Sequence, residues 1–592
     1  MGASRYYHTL KHLTADQWWW QMKYRIWRKW FPLEKKEAPS GLAGPRRLPR
    51  RCRFLWPPIS EKTCLPKNRF RLINETVTFE GEVDWSARTR SRLWAYQLNA
   101  FDFLGTASIR DGTHMIREWI KQCNSGIGWE PAPTSCRMMN WIKFLADRVP
   151  DAFDRRFREE AARSLFVQAD WLSQNTERHI RGNHLLKNGA ALIFAGAHLN
   201  HDAFLQQGES LLEETVNEQF LADGGHDERS PMYHALVLFD MLDCLNLTVL
   251  SDPVRRLLET RVKQALNFLV ALCHGDGEIA LFNDSVFHMA PRPGELVRYA
   301  REVAGIETPP RPEGASLFFP DSGYTLMNAK ECSLIADAGP VGPDYFPAHA
   351  HCDLLSFELS VGPQRIIVDS GNYDYNHGEM REYTRSTRAH NTVVVDHRNQ
   401  SDMWDIFRVG QRARVVSAEL FVPESDCILL RASHDGYESE AGVRHVREII
   451  RFRQGFFLII DRLEGTGEHR VSSYLHFHPD CIVTQGAEGA KSLTLDAGGK
   501  TVYIHSGLTH GRARLETGWY CPEFHVRREQ TVLAVYLDGS LPTTLVTCLG
   551  THCKGPVSVD LQKCSLQIGD ESYGWTDMKC ASPEREEAAC AY

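Results

Sequence analysis

Two histidines, His349 and His351, stand two residues apart in Pro347-Ala348-His349-Ala350-His351-Cys352-Asp353. On an extended segment both would project from one face. Asp369 follows at the end of a hairpin strand, and His390 lies in Arg385-Ser386-Thr387-Arg388-Ala389-His390-Asn391-Thr392. Two imidazoles and one carboxylate from this group would offer N, N and O donors, which suit zinc with one position open or water-filled. Any one of these histidines alone is more often a hydrogen-bonded residue at the edge of a sandwich.

A second set lies upstream. Arg181-Gly182-Asn183-His184 stands at a helix entry, where Asn183 reads as an N-cap. Asp223-Gly224-Gly225-His226-Asp227-Glu228-Arg229-Ser230-Pro231-Met232-Tyr233-His234 combines a glycine turn, a carboxylate group and a helix start. Ser230 and Pro231 read as N-cap and first helical residue. Asp223, Asp227 and Glu228 offer the carboxylates that glycoside hydrolysis would need. Tyr233 offers a phenol that is either structural or an acid–base group.

These residues need elements to hold them. From about 85 to 305 the apolar spacing is helical over Arg155–Gln174, His184–Leu199, Ala203–Phe220, Met232–Leu247 and Pro253–Cys273, separated by short Gly, Asn or Pro breaks. Helical hairpins in succession make a bundle or toroid. After Pro309–Gly314 the period becomes two, in many short segments with Gly, Asp and Asn turns. That pattern predicts an antiparallel sandwich. The expected division is a basic, aromatic arm and linker over 1–80, a helical domain over 81–310 and a β-domain over 311–592, with a frayed tail from Arg585.

The 592 residues are 43% hydrophobic and 24% charged, enough for large cores. The best apolar run, Ala235 to Leu250, is interrupted by Asp240 and Asp243, which argues against a membrane span. The first twenty residues lack the apolar run and cleavage site of a signal peptide. None of the 16 cysteines forms a C-x-x-C pair, and several (Cys244, Cys273, Cys548) sit inside apolar runs, as reduced buried thiols do. The net charge of -7 hides an imbalance: residues 1–53 carry 13 Lys and Arg against three acids, +10, leaving -17 for the rest. His12 to Phe31 interleaves bases with Trp and Tyr, as a basic amphipathic helix does. It packs its aromatic face on the body or lies on a membrane or acidic partner. The expected location is cytoplasmic, or peripheral at the inner face of a membrane.

Together, the Asn-His pair, the Glu-Arg-Ser-Pro-Met-Tyr-His run, the His-Ala-His-x-Asp segment, the Asp-Ser-Gly-x-Tyr turn and the Arg-Ala-His-Asn-Thr segment resemble the heparinase II/III-like polysaccharide lyases, including alginate lyases of the same architecture. The resemblance covers roughly 85–580 and is strongest over His349 to Asp405. It implies an α/α toroid, often incomplete, followed by an antiparallel β-sandwich, with the active site between them. It gives Tyr233 the role of general base and acid, with His349 assisting, and sets Asn183 and His184 against the substrate carboxylate. Glu228, Arg385 and Arg388 become substrate contacts, and His351, Asp369 and His390 a structural zinc site. The implied activity is β-elimination on an acidic, uronate-containing polysaccharide or oligosaccharide, with no nucleic acid involved. Two alternatives remain open: a glycoside hydrolase, and a non-catalytic glycan-binding protein of a polysaccharide pathway.

Overall fold

The computed structural model describes residues 2–27, 37–39, 42, 48–58, 64–65, 68–148, 152–308, 314–422 and 427–575. The break expected at Pro309–Gly314 falls largely outside them, as do Trp30 and the tail from Arg585.

The helices expected from periodicity form at Arg155–Ser173, Gly182–Leu199, Asp202–Gln219, Pro231–Asn246 and Asp252–Ala271. Others span Arg92–Ala100, Ile109–Gln122, Pro131–Asp147 and Pro293–Ala304. Caps fix several starts: Asp154 accepts from Phe157 N, and Ser230 accepts from Tyr233 N with Pro231 at the first helical position. Gly182–Leu199 lies tightly on Asp202–Gln219, where a side chain at Gly208 would collide with Ile193 N at 2.7 Å. The buried faces merge into one core that includes Trp94, Trp119 and Trp141.

The described parts of the segment before residue 80, expected as an extended linker or wrapping arm, join this core. Arg69–Leu72 and Glu75–Thr78 pair as a hairpin. Leu48, Phe54, Phe70, Leu72 and Val77 are buried among the helices. The short apolar residues between prolines and arginines were too sparse to signal that burial. The arm itself is two helices, Gly2–Leu10 and Ala15–Met22, the second running into a π-helical turn at Lys23–Trp27. Thr14 and Gln17 form a capping box that starts the second helix.

Every pair of named strands described in the second half is antiparallel. One sheet orders Ser316–Phe319, Tyr324–Ala329, Cys332–Asp337, Phe357–Val361 and Gln364–Ile367. An eight-stranded sheet has Cys427–Tyr437, Val443–Phe452 and Phe456–Glu464 in consecutive register, then continues through Thr543–Gly550. A four-stranded sheet joins Glu468–His476 to Val393–Val395 and Val526–Ser540. Leu334, Leu359, Phe457, Leu475, Leu533 and Leu549, drawn from all three, share one core. No disulfide joins any described cysteine, and Cys244, Cys273 and Cys548 are buried as expected. Among the described residues no helix is long and apolar enough to cross a membrane. Asp240 and Asp243 are instead buried partners of Lys187 and Lys143.

Candidate active site

The helix start at Ser230–Pro231 places Tyr233 on the first turn. The Ser230 hydroxyl also donates to the main-chain carbonyl of Asp284 (2.8 Å), tying this helix to the loop 281–285. Asp284 is the centre of the site. It is fully buried and receives Arg381 Nη1, Arg381 Nη2 (3.0 Å), Asn372 Nδ2 (3.0 Å), His349 Nδ1 (3.0 Å) and His351 Nε2 (2.9 Å). Burial alone would raise its pKa, but the Arg381 charge and the histidine hydrogen bonds outweigh it and hold the carboxyl well below the usual range. An ionised Asp284 fixes the tautomers: His349 donates from Nδ1 and His351 from Nε2.

His349 Nε2 is left buried with no hydrogen-bond partner, 3.9 Å from Glu228 Oε2. The His349 ring lies against the Tyr233 ring with centroids 3.8 Å apart, and the Tyr233 and Tyr375 hydroxyls are 3.1 Å apart. Burial first, then the Asp284 charge, pushes the Tyr233 phenol well above its ordinary value of 10. This differs from the lowered pKa that a resting base would need: Arg381, the cation facing it, is itself neutralised by Asp284. In the unliganded site Tyr233 carries its proton.

The segment expected to present both histidines from a strand is a loop. The loop is fixed by Asn283 Oδ1 accepting from His351 N (2.9 Å) and by Asp284 N donating to the His349 carbonyl (3.0 Å). Both rings therefore meet one carboxylate without a pleat.

Asn183 is not an N-cap. Arg181 takes that position with φ +66°, and the Asn183 carboxamide donates to Glu228 Oε1 (3.0 Å) and Oε2 (2.9 Å). Glu228 also accepts Asn183 N (2.7 Å) and is buried, so it anchors the helix start. Gly182 permits this closeness: at φ +54°, a Cβ there would lie 2.5 Å from Glu228 Oε1 and 2.7 Å from the Phe346 ring. Phe346 meets the His184 and His349 rings edge-on. His184 contacts Glu177 Oε1 through Nδ1 (3.1 Å), with about a quarter of its side chain exposed. Burial lowers its pKa, but the Glu177 charge and hydrogen bond, with Glu228 behind, raise it net above 6.5.

The remaining expected residues fall elsewhere. Arg385 is buried and donates to the carbonyls of Ala350 (3.2 Å) and Asp405 (3.0 Å), so it braces the histidine loop. Arg388 is exposed and paired with Glu516 (2.8 Å), and no contact brings it to this cluster. Asp223 accepts main-chain amides of Gly225 and Ser322, and Asp227 accepts the Tyr345 hydroxyl (2.7 Å). Burial and the neighbouring Glu228 charge push Asp227 up to about 8. Asp223, Asp227 and Glu228 are thus each engaged by main-chain amides, Tyr345 or Asn183, not held open as the acid–base pair that hydrolysis would need. Asp369 accepts from His390 Nδ1 (2.7 Å), while His390 Nε2 and His351 Nδ1 are buried without partners on rings 5.4 Å apart. As placed, these side chains do not converge, and among the described residues no three such groups form a metal-holding set.

The family model described as "Heparinase II/III N-terminus" matches residues 64–293, and "Heparinase II/III-like, C-terminal" matches 311–560. The chain belongs to the heparinase II/III-like family. A heparin-sulfate lyase of Bacteroides stercoris is 22% identical over 429 residues, 66% of this chain and 60% of that protein. FtsZ-localized protein C of Caulobacter vibrioides is 26% identical over 380 residues, 58% of this chain and 60% of that protein. The chain thus spans about 60% of the length of these family relatives. A crystal structure titled heparinase III superposes with a TM-score of 0.66 at 16% identity, over 84% of this chain and 86% of that one. The shared fold is the toroid followed by a sandwich, as the motifs implied. For a family member the residues that sequence reasoning missed are Asp284, Arg381, Tyr375, Glu177 and Phe346. Asn283-Asp284-Ser285, a polar triplet after Leu281-Phe282, was the one local signal.

Proposed function

We propose that this protein is a polysaccharide lyase that cleaves a uronic-acid-containing polysaccharide or oligosaccharide by β-elimination. One observation carries the reading: the Asp284-oriented His349, with its bare Nε2, stacked on a protonated Tyr233. The heparin-sulfate lyases among its relatives support it.

The proton on C5 of a uronate is weakly acidic because the neighbouring carboxylate is already charged. His184, its pKa raised by the Glu177 charge and hydrogen bond, neutralises that carboxylate in its protonated form and stabilises the dianion that develops on it. Asn183 has both amide donors on Glu228, so its part is to hold the helix start that presents His184. His349 Nε2 takes the C5 proton. The C5–H electron pair becomes the C4=C5 double bond as the C4–O bond breaks. Tyr233 gives its proton to the departing oxygen, and the proton on His349 then returns to Tyr233. Asp284 remains ionised and stabilises the imidazolium between these steps.

We also propose zinc at His351, Asp369 and His390. His351 Nδ1 and His390 Nε2 are orphaned, buried ring nitrogens and Asp369 holds the other nitrogen of His390, so the donor types, not the present placement of the side chains, support such a site. Bound zinc would act as a structural Lewis acid, and these residues would hold the loop carrying His349.

The test is a screen of uronate polysaccharides and oligosaccharides read by ultraviolet absorbance. Elimination leaves an absorbing unsaturated uronate. New reducing ends without absorbance would mean hydrolysis, and glycan binding without turnover would mean a non-catalytic protein.

A further inference from the structure

Eleven large hydrophobic residues are exposed among the described ones, and seven of them fall between residues 6 and 26: Tyr6, Tyr7, Leu10, Trp18, Trp19, Met22 and Ile26. Scattered exposed apolar residues are ordinary, but a concentration of this kind marks an interaction surface.

Each arm helix has two distinct sides. The first helix is fastened by Arg5 to Asp402 (2.8 Å through Nε) and by Thr9, which donates to the Val409 carbonyl (3.1 Å) and accepts from Trp404 Nε1 (3.1 Å). The second is fastened by Asp16 to Arg181 (3.1 Å), and Tyr24 donates to the Thr176 carbonyl. Gln17, 1% exposed, donates to the carbonyls of Ile180 (3.4 Å) and Tyr345 (3.2 Å), one from each half of the protein. With these sides fixed, the stripes Tyr6-Tyr7-Leu10 and Trp18-Trp19-Met22-Ile26, spaced at three and four residues, are turned to solvent.

Bases are set among them. Lys11 and Arg25 are exposed, and Lys23 Nζ lies 5.1 Å from the Trp19 ring and 4.1 Å from the Trp20 ring. Trp and Tyr with Lys and Arg, on short helices that lie along a surface, suit the water–lipid boundary. Charge selects the occupant. The arm helices within residues 1–27 carry four bases against one acid, +3, in a segment 1–53 that is +10 overall, and the remainder is -17, so an anionic surface attracts this end of the chain and repels the body.

We infer that the arm helices dock this protein on an anionic lipid membrane, through the outward aromatic and aliphatic stripes and the bases Lys11, Lys23 and Arg25. The inference is independent of the catalytic reading, because none of these side chains belongs to the site.

The test is flotation of the full-length protein with phosphatidylcholine vesicles, with and without phosphatidylglycerol, at low and high salt. The expected result is about ten-fold or greater partition to the anionic vesicles, weakened by salt. The charge variant K11E/K23E/R25E and the apolar variant W18S/W19S/M22S should each lose that partition while keeping the thermal unfolding of the parent. Equal binding to neutral vesicles, or no binding to either, overturns the inference. So does a dimer, seen by light scattering, that the apolar variant converts to monomer, since a second copy would then cover the stripes. Binding that survives both variants overturns it as well.

Discussion

The Tyr233 and His349 rings lie face to face, 3.8 Å between centroids and 25° between planes. One comes from the first turn of a helix and the other from a loop of the β-half, so the pair is assembled only when the two halves are in place. Replacing Tyr233 with Phe keeps the stack and removes the proton. The variant should lose about 10²–10⁴-fold in turnover while its glycan binding and melting temperature stay near the parent's. Steady-state absorbance assays beside calorimetry check this, and a fully active Tyr233→Phe protein would remove Tyr233 from the mechanism.

Asp284 has a different signature. In Asp284→Asn the buried Arg381 loses its counter-charge and His349 loses the acceptor that sets its tautomer. Breaking a buried pair costs about 3–5 kcal/mol, so the variant should unfold at lower denaturant. Its turnover should also fall by about 10²–10⁴ beyond what instability explains. The combination of Asp284→Asn with Arg381→Met should recover stability without activity, which an unfolding titration and an assay separate.

The Glu177–His184 pair sets a pH window. The folded pKa of His184 is raised above 6.5, so its contribution is full below that value and is lost as pH climbs through the raised one. Burial works against the Glu177 carboxylate, but the His184 charge, the His184 and Asn188 hydrogen bonds and His179 bring it net below 4.5. Its contribution is present above 4.5 and lost as pH falls through the lowered value. The pair is therefore worth most between these limits. Glu177→Gln should flatten the melting temperature against pH and move the alkaline limb of kcat/KM to lower pH. An unchanged limb would show that His184 does not meet the substrate as a cation.

Five cations around the site are each matched by an acid. His184 has Glu177, Lys187 has Asp240, Arg178 has Glu214, Arg181 has Glu218, and Arg381 has Asp284. A sulfated polymer would have to displace an acid at each contact. Compared at equal concentration, an unsulfated uronate–N-acetylhexosamine polymer should be cleaved at least about ten-fold faster than its N- and O-sulfated counterpart. Preference for the sulfated form would contradict it.

Zinc is checked by removal. Purified protein should contain about one zinc per chain by elemental analysis, and chelation or His351→Ala should lower both zinc and melting temperature. Metal-free protein of unchanged stability would count against the site.

Much of this was legible from local signals. The Ser230-Pro231 cap and the apolar spacing place the Tyr233 helix correctly because both are contained within a few residues. The histidine loop reads as a strand because His-Ala-His alternates, yet its shape comes from Asn283 and Asp284, more than sixty residues away. Asp284 carried only the weak signal of a polar triplet after Leu281-Phe282, and its partner Arg381 lies 97 positions on, so nothing local announces the pair. Asn183 misled for a related reason, since an ordinary capping residue is pulled into another task by Glu228.

Gln17 has a mechanical consequence. Its side-chain oxygen accepts from Thr14 N, while its amide reaches Ile180 on one wall and Tyr345 on the other. Parting the walls there would strand the buried Gln17 amide, at about 1–3 kcal/mol. The arm is thereby a strap across both halves at this edge, and peeling it away would cost the protein a tie between them as well as a surface helix.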